Sequence, residues 1–466
     1  MTSFVLAGFG FRAATYYRLA QALPGLECVG AVVRTSRPMP LPTFTSLAEC
    51  VRQTHPDFLV TAVPPSANPT FILEAIALNL PVLAETPPAN PAPQFTAPTS
   101  ITTPSSATAL HSLAAGLPPK DFSDISALTS RREPWTTVSE SGSPGSPEPE
   151  TVGDKSDLSG LWAPETGSGK SGLPALRAPG TASGENGPPG LRTSGTASGE
   201  NGAAGGEYGL AGLRALWAAV GDSGMVQVAE QYLLMPSHAA RLAAVRSGII
   251  GAATQVHVSS TQQHHAISLI RGMLGVGRAV ATVRAVRTTA PLLAPLDRSG
   301  WTDDPLPRAA TTTIATVDFG DGRSAVYDFT SGQTRNLLRH RRLLVRGTHG
   351  ELHDDDIVHM PAPRTIARTP LIRRQSGHDL DLNGFDTETI LCGDRVLYRN
   401  PYPGHRFNDD EIATATLLDA MAAWVRGEGP PPYPLAEGLQ DQALALAVEE
   451  AAGAGREVVT AAEAWT

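Results

Sequence analysis

The chain has 466 residues, of which 41% are hydrophobic, enough for two domains with a sizeable core. Its formal net charge of −9 argues against nucleic acid or an anionic membrane surface as the main partner. No apolar run reaches the roughly 18 residues of a membrane-spanning helix.

Phe4-Val5-Leu6-Ala7 is a short apolar run near the start, with no basic region before it, so no signal peptide and a cytoplasmic location are expected. Gly8-Phe9-Gly10-Phe11-Arg12-Ala13 follows at once, and Ala13 to Leu23 reads as a helix. This is the G-x-G-x-x-G/A pattern in its strand–turn–helix context, so Gly8, Gly10, Phe11, Arg12 and Ala13 are candidates to hold a dinucleotide pyrophosphate. Gly8 permits the tight turn. Gly10 lets a phosphate approach the backbone, and Ala13 lets the helix pack closely on the strand.

Glu27 to Val33 reads as the second strand, ending Val33-Arg34-Thr35-Ser36-Arg37. No carboxylate is present there to take the ribose 2′-hydroxyl, while arginine can pair with a 2′-phosphate. Arg34 and Thr35 are therefore expected to read the adenosine ribose, and NADP is the expected cofactor, with NAD the alternative. Ser46 and Glu49 form a capping-box pair opening a short helix, and Phe58 to Val63 is a third strand. Asn68 reads as an N-cap with Pro69 at the first helical position, and Asn79 as a left-handed C-terminal residue. Val82 to Ala84 is a fourth strand, ending at Glu85-Thr86-Pro87. Strands alternating with helices imply a doubly wound parallel sheet over residues 1–90.

From about Pro91 to residue 207 the chain is dominated by Pro, Ser, Thr, Gly and Ala. Gly-Thr-Ala-Ser-Gly-Glu-Asn-Gly occurs twice, at Gly180 to Gly187 and at Gly195 to Gly202. Such a stretch cannot offset its chain entropy by apolar burial and reads as a disordered insertion. A last helix of the first domain is expected over 208–224. Residues 225–466 are expected to form a second, mainly antiparallel α+β domain. Its strand-like runs are Met225 to Tyr232, Thr254 to Ser260, Val280 to Val286, Thr311 to Phe319, Ser324 to Phe329, Arg342 to Gly347 and Thr389 to Tyr398. Gly320-Asp321-Gly322 is a hairpin turn, and helices are expected at Pro236 to Ser247, Asp410 to Arg426 and Leu439 to Ala452. The basic residues Arg335, Arg339, His340, Arg341 and Arg342 read as a charged sheet edge, or as a site for an anionic substrate or partner subunit. Tyr327, Asp328, Phe329 and Gln333 either face a cleft or pack in the sheet. Asp354-Asp355-Asp356 reads as a solvated acidic turn. The three cysteines, Cys28, Cys50 and Cys392, are widely spaced and fit a reducing compartment without a disulfide or a Cys-based metal site.

Over residues 1–89 and 209–466 the chain resembles the glucose–fructose oxidoreductase, inositol dehydrogenase and MocA (Gfo/Idh/MocA) family. The resemblance rests on Ala62-Val63-Pro64-Pro65-Ser66-Ala67-Asn68, on Glu85-Thr86-Pro87 in the place of a Glu-Lys-Pro motif, and on Ser247-Gly248-Ile249-Ile250-Gly251. It also rests on the helix from His265 through Arg271-Gly272-Met273-Leu274-Gly275, and on Arg346-Gly347-Thr348-His349-Gly350-Glu351. The resemblance implies hydride transfer between a nicotinamide and a sugar, cyclitol or related polyol, with His265 handling the hydroxyl proton, Thr86 and Tyr232 as the further catalytic candidates and Glu85 among the cofactor-binding ones. It implies that Pro64, Pro65 and Asn68 line the nicotinamide side, and that Glu85, Thr86, Gln231, Tyr232, His264 and His265 line the substrate cleft. It also implies a homo-oligomer through the C-terminal sheet. The chain departs from the pattern at the lysine, which is Thr86. It departs again at two aspartates flanking the histidine, replaced by Thr261 and Ser268. A hydroxyl is a poor base near neutral pH, so a nucleotide-binding relative without catalysis is the alternative.

Overall fold

The computed structural model describes residues 1–35, 39–89, 205–297, 300–303, 306–376 and 386–466, with only the backbone of 205–208 and 297. Arg37 and nearly all of the 91–207 insertion lie outside the described residues.

The first half builds a parallel sheet from β1 (Thr2–Ala7), β2 (Leu26–Val32), β3 (Thr43–Phe44), β4 (Phe58–Thr61), β5 (Val82–Ala84) and β6 (Val226–Val228). Their spatial order is β3-β2-β1-β4-β5-β6, the doubly wound order of dinucleotide-binding sheets. The strands are runs of consecutive apolar residues because helices cover both faces: Phe4, Leu6, Phe58, Leu59, Val60 and Leu83 are all fully buried. The covering helices are α1 (Phe11–Ala22), α2 (Leu47–Thr54), α3 (Asn68–Ala77) and α4 (Gly205–Val220). Ser46 caps α2 by accepting from the Glu49 amide, as its spacing predicts. Asn79 holds φ 55° after α3.

Asn68 does not cap α3. It is the first helical residue, after Ala67, and its side chain reaches instead to the loop following β5. The run from Met225 to Tyr232 is also not one strand. Only Val226–Val228 pairs, and the chain then leaves the sheet and turns through a short 3₁₀ segment, Tyr232–Leu234. A carboxylate oxygen of Glu230 accepts the Tyr232 amide at 3.0 Å, which fixes this turn.

The second half is an eleven-stranded, mainly antiparallel sheet, ordered β18-β17-β16-β15-β14-β13-β7-β12-β11-β8-β19. Its strands are β7 (Ala253–Ser259), β8 (Thr282–Leu292), β11 (Arg308–Gly320), β12 (Arg323–Thr330), β13 (Arg342–Gly347), β14 (Gly350–His353), β15 (Asp356–Ala362), β16 (Thr365–Ser376), β17 (Asp386–Cys392), β18 (Arg395–Arg399) and β19 (Val458–Val459). A separate small hairpin pairs β9 (Leu296–Asp297) with β10 (Gly300–Trp301). Gly320, Asp321 and Gly322 all have positive φ and turn β11 into β12. The stretch from Thr389 to Tyr398 is a hairpin rather than one strand, turning at Gly393 with φ 60°. Arg342 does not mark an edge: β13 lies between β7 and β14 in the interior of the sheet.

Helices α5 (Pro236–Arg246), α6 (Gln263–Leu274), α7 (Asp409–Val425) and α8 (Leu435–Ala454) complete the chain. α6 packs on β7 and α8 on β8, so one face of the sheet is covered. Along β11 the covered face takes Thr313, Ala315, Val317 and Phe319, while Ile314, Thr316 and Asp318 are exposed. Tyr327 and Phe329 belong to the covered face and stack on one another. Gln333 is a buried clamp whose amide donates to Ser259 O and His340 O. α7 packs against α1, where Arg12 pairs with Asp410 and Arg18 with Glu411. Among the described residues no helix is long and apolar enough to cross a membrane.

Candidate active site

In a doubly wound sheet the binding crevice lies at the carboxyl ends of the strands, where the strand order reverses. Here that is the junction of β1 and β4. Gly8 holds φ 85°, and a Cβ there would lie 2.8 Å from Ala62 O, so the turn after β1 requires glycine. Gly10 differs: a Cβ there would meet no atom within 4 Å, so the space above it is open. α1 starts from Gly10 with no side-chain cap and no acidic residue in its first turn, leaving its first amides and dipole to an anion. Ala13 is fully buried against the sheet, and Phe11 is 82% exposed at the rim. These residues fit a dinucleotide pyrophosphate. Arg34 and Thr35 lie exposed just beyond β2, and Arg34 has no ion pair among the described residues.

The next ring of the site is charged. Arg12 Nε donates to Glu85 Oε1 at 2.6 Å and its Nη1 to Asp410 Oδ2 at 2.8 Å. The Tyr16 hydroxyl donates to the same Glu85 oxygen, and Gln231 Nε2 donates to Asp410 Oδ1 at 3.1 Å. Burial and the Glu85 charge both hold the Tyr16 phenol neutral. Asn68 Nδ2 donates to Glu85 O at 2.9 Å and Pro87 O at 3.1 Å, so it fixes the loop that carries Thr86. Pro64 and Pro65 are exposed on the loop after β4, where Ala67 N donates to Pro64 O.

Beyond this ring, the first turn of α6 presents His264 and His265. His265 Nδ1 lies 2.7 Å from Glu230 Oε2, with side-chain exposures of 12% and 1%. The Tyr232 ring stacks on His265 at 4.2 Å between centroids, and the His264 ring lies tilted against His265 at 4.1 Å. Burial pushes the Glu230 carboxyl up to about 7. Burial pulls His264 and His265 down to about 3, with His265 adding to the effect on His264 and Arg12 to that on His265. A cavity of about 10 Å³, room for about one water, is walled by Thr86, Glu230, His264 and Asp441. A carboxylate–imidazole pair of this kind orients a ring for proton transfer.

The structure therefore brings Arg12, Glu85, Thr86, Gln231, Tyr232, His264 and His265 to one end of the parallel sheet. Arg34 and Thr35 stand apart, after β2. Sequence reasoning missed Glu230, Tyr16 and Asp410. Asp410 carried a signal: Asn408 and Glu411 form a full capping box, which places Asp410 in the first turn of α7.

No protein-family model matches the chain, and no curated protein matches it in sequence. Solved structures do match over nearly the whole length. An oxidoreductase from Agrobacterium radiobacter, in complex with NAD+, L-tartaric acid and magnesium, matches at TM-score 0.53 and 11% identity, covering 98% of each chain. A myo-inositol dehydrogenase from Corynebacterium glutamicum matches at TM-score 0.50 and 14% identity, covering 99% of each chain. A levoglucosan dehydrogenase in complex with NADH and levoglucosan matches at TM-score 0.50 and 13% identity, covering 98% of this chain and 99% of that one. These proteins are of the Gfo/Idh/MocA type, and the chain has their fold.

Proposed function

We propose that the protein is an NAD(P)-dependent oxidoreductase that moves a hydride between a nicotinamide and a polyol- or sugar-like substrate. The observation that carries this reading is the meeting of an open glycine turn and an imidazole held by a carboxylate at one end of the parallel sheet. A bound nicotinamide would supply hydride chemistry. Gly10 and the first amides of α1 would hold its pyrophosphate, and Pro64, Pro65 and Asn68 would border the nicotinamide. Three buried polar atoms, Arg12 Nη2, Gln231 Oε1 and His264 Nε2, have no hydrogen-bond partner among the described residues. Buried polar groups are normally paired, so a hydroxyl-rich ligand suits this mixture of donors and acceptors. The myo-inositol and levoglucosan dehydrogenases that share the fold support the same substrate class.

NADP is the preferred cofactor in this reading, because Arg34 is exposed and no carboxylate follows β2 among the described residues. The open face of the second sheet, with Val286, Ile314 and Val358 exposed on it, is the proposed contact between subunits of a homo-oligomer. A monomer in light scattering would refute that contact. The activity is tested by following reduced-nicotinamide absorbance over a panel of polyols, sugars and sugar acids with each cofactor. Turnover of at least one is expected. Binding of neither cofactor, with no turnover of any substrate, would overturn the reading.

A further inference from the structure

Glu230 is a buried acid whose surroundings supply no dedicated cation. On the side of α8, Arg271 pairs with Glu437 and Asp441, and Arg278 pairs with Glu437. Two guanidiniums there face two carboxylates, and that cluster is neutral. On the side of α1, Arg12 is shared by Glu85 and Asp410, which leaves an excess of negative charge. The titratable groups left nearby are Tyr232 and Tyr433, which carry no positive charge, and His264, whose ring also acts on Glu230 electrostatically but makes no hydrogen bond to it among the described residues. His265, at 2.7 Å, is the imidazole in direct hydrogen-bond contact with Glu230. Nδ1 is engaged by the carboxylate, and His265 Nε2 has no hydrogen-bond partner among the described residues.

Resting on the oxidoreductase reading, we propose that Glu230 is the positioning residue of the cleft. Its carboxylate holds His265 through Nδ1, leaves Nε2 as the proton-transferring nitrogen, and supplies the counter-charge for the imidazolium. In the oxidative direction the carbinol C–H bond would break with its electron pair leaving as hydride, which a bound oxidised nicotinamide would accept. The O–H bond breaks, its proton passes to Nε2, and its electron pair becomes the second bond of the carbonyl. The imidazolium so formed lies against Glu230, whose negative charge stabilises it. Reduction runs the same steps backwards, with Nε2 as the proton donor.

The test uses the full-length protein and the near-isosteric Glu230→Gln variant, with Glu230→Asp as the conservative control. Nuclear magnetic resonance of selectively labelled histidine, assigned with His265→Gln, reads the ring without any substrate. The Nδ1 proton of His265, held against a carboxylate, should resonate far downfield in the wild type and move upfield in Glu230→Gln. Turnover should fall by about 10²-fold or more, with KM nearly unchanged and the pH profile displaced, and Glu230→Asp should recover part of it. An unmoved His265 Nδ1 proton resonance in Glu230→Gln would overturn the proposal even if the protein turns over substrate. An absence of turnover in the wild type would instead count against the oxidoreductase reading, while the resonance arm still decides the role of Glu230. If Glu230→Gln does not fold, a His265 ring whose Nδ1 shows no hydrogen bond in the wild type would refute the assignment.

Discussion

The ring of Tyr232 lies stacked on that of His265, with centroids 4.2 Å apart and planes inclined by 25°. Glu230 fixes the same imidazole from its Nδ1 edge, so the ring is held by a stack and a hydrogen bond at once. An aromatic pair contributes about 0.5–1.5 kcal/mol beyond area burial. Tyr232→Phe should therefore leave turnover within about threefold, and Tyr232→Ala should lower it about tenfold through misorientation of His265. Steady-state kinetics on the two variants decides this; equal losses would mean that the hydroxyl, not the stack, matters.

The two glycines of the first turn separate fold from binding. At Gly8 a side chain would meet the Ala62 backbone at 2.8 Å with φ at 85°, whereas at Gly10 it would meet nothing within 4 Å. Gly8→Ala should lower the melting temperature, at a cost of about 1–2 kcal/mol from the left-handed backbone alone. Gly10→Ala should melt like the wild type but bind the dinucleotide at least about tenfold more weakly. Thermal melts and calorimetric titration of both variants test the contrast.

The proposed preference for NADP rests on Arg34, exposed beyond β2. Hydrogen bonds to charged groups contribute about 1.5–3 kcal/mol. Arg34→Asp should weaken NADPH binding by about 10- to 100-fold and leave NADH binding unchanged or stronger. Unchanged NADPH affinity would remove Arg34 from the site.

His238 sets an acid limit on stability. It is 8% exposed, and burial, with Arg241 and Arg341 adding to it, pulls its pKa down to about 3 from 6.5. Between those values the unfolded chain binds a proton that the folded chain does not. The contribution is therefore complete above pH 6.5 and is lost as the pH falls through that window. Its slope is about 1.4 kcal/mol per pH unit. His238 Nδ1 has no hydrogen-bond partner among the described residues, so His238→Phe keeps a ring without breaking a bond there. That variant should show a shallower fall in melting temperature from pH 6.5 to 4; an identical fall would show that His238 does not titrate in this way.

Much of the architecture was legible because local rules agreed with the global fold. The glycine turn, the Ser46 cap, the parallel strands and the turn at Gly320-Asp321-Gly322 each obey a backbone requirement that the residues state directly. What failed did so for identifiable reasons. β14, β15 and β16 carry few consecutive apolar residues, since much of this part of the sheet faces water, and their pattern is lost among Arg, Asp and His. Asn68 has the composition of a cap, but tertiary acceptors at Glu85 and Pro87 claim its amide. Glu230 sat inside a run that reads as a strand. Its one signal was an acid between Val228-Ala229 and Leu233-Leu234, a charge that only a buried partner makes tolerable. That partner, His265, is 35 residues away, and no spacing rule links them.

Most directly, the glycine turn must hold a nicotinamide dinucleotide, and thermal melting of the purified full-length protein with saturating NADPH or NADH measures that. A ligand that binds only the folded state raises its melting temperature by mass action. A clear rise with NADPH, larger than with NADH and lost in Gly10→Ala, is the expected result. No rise with either cofactor would contradict the proposed function at its base.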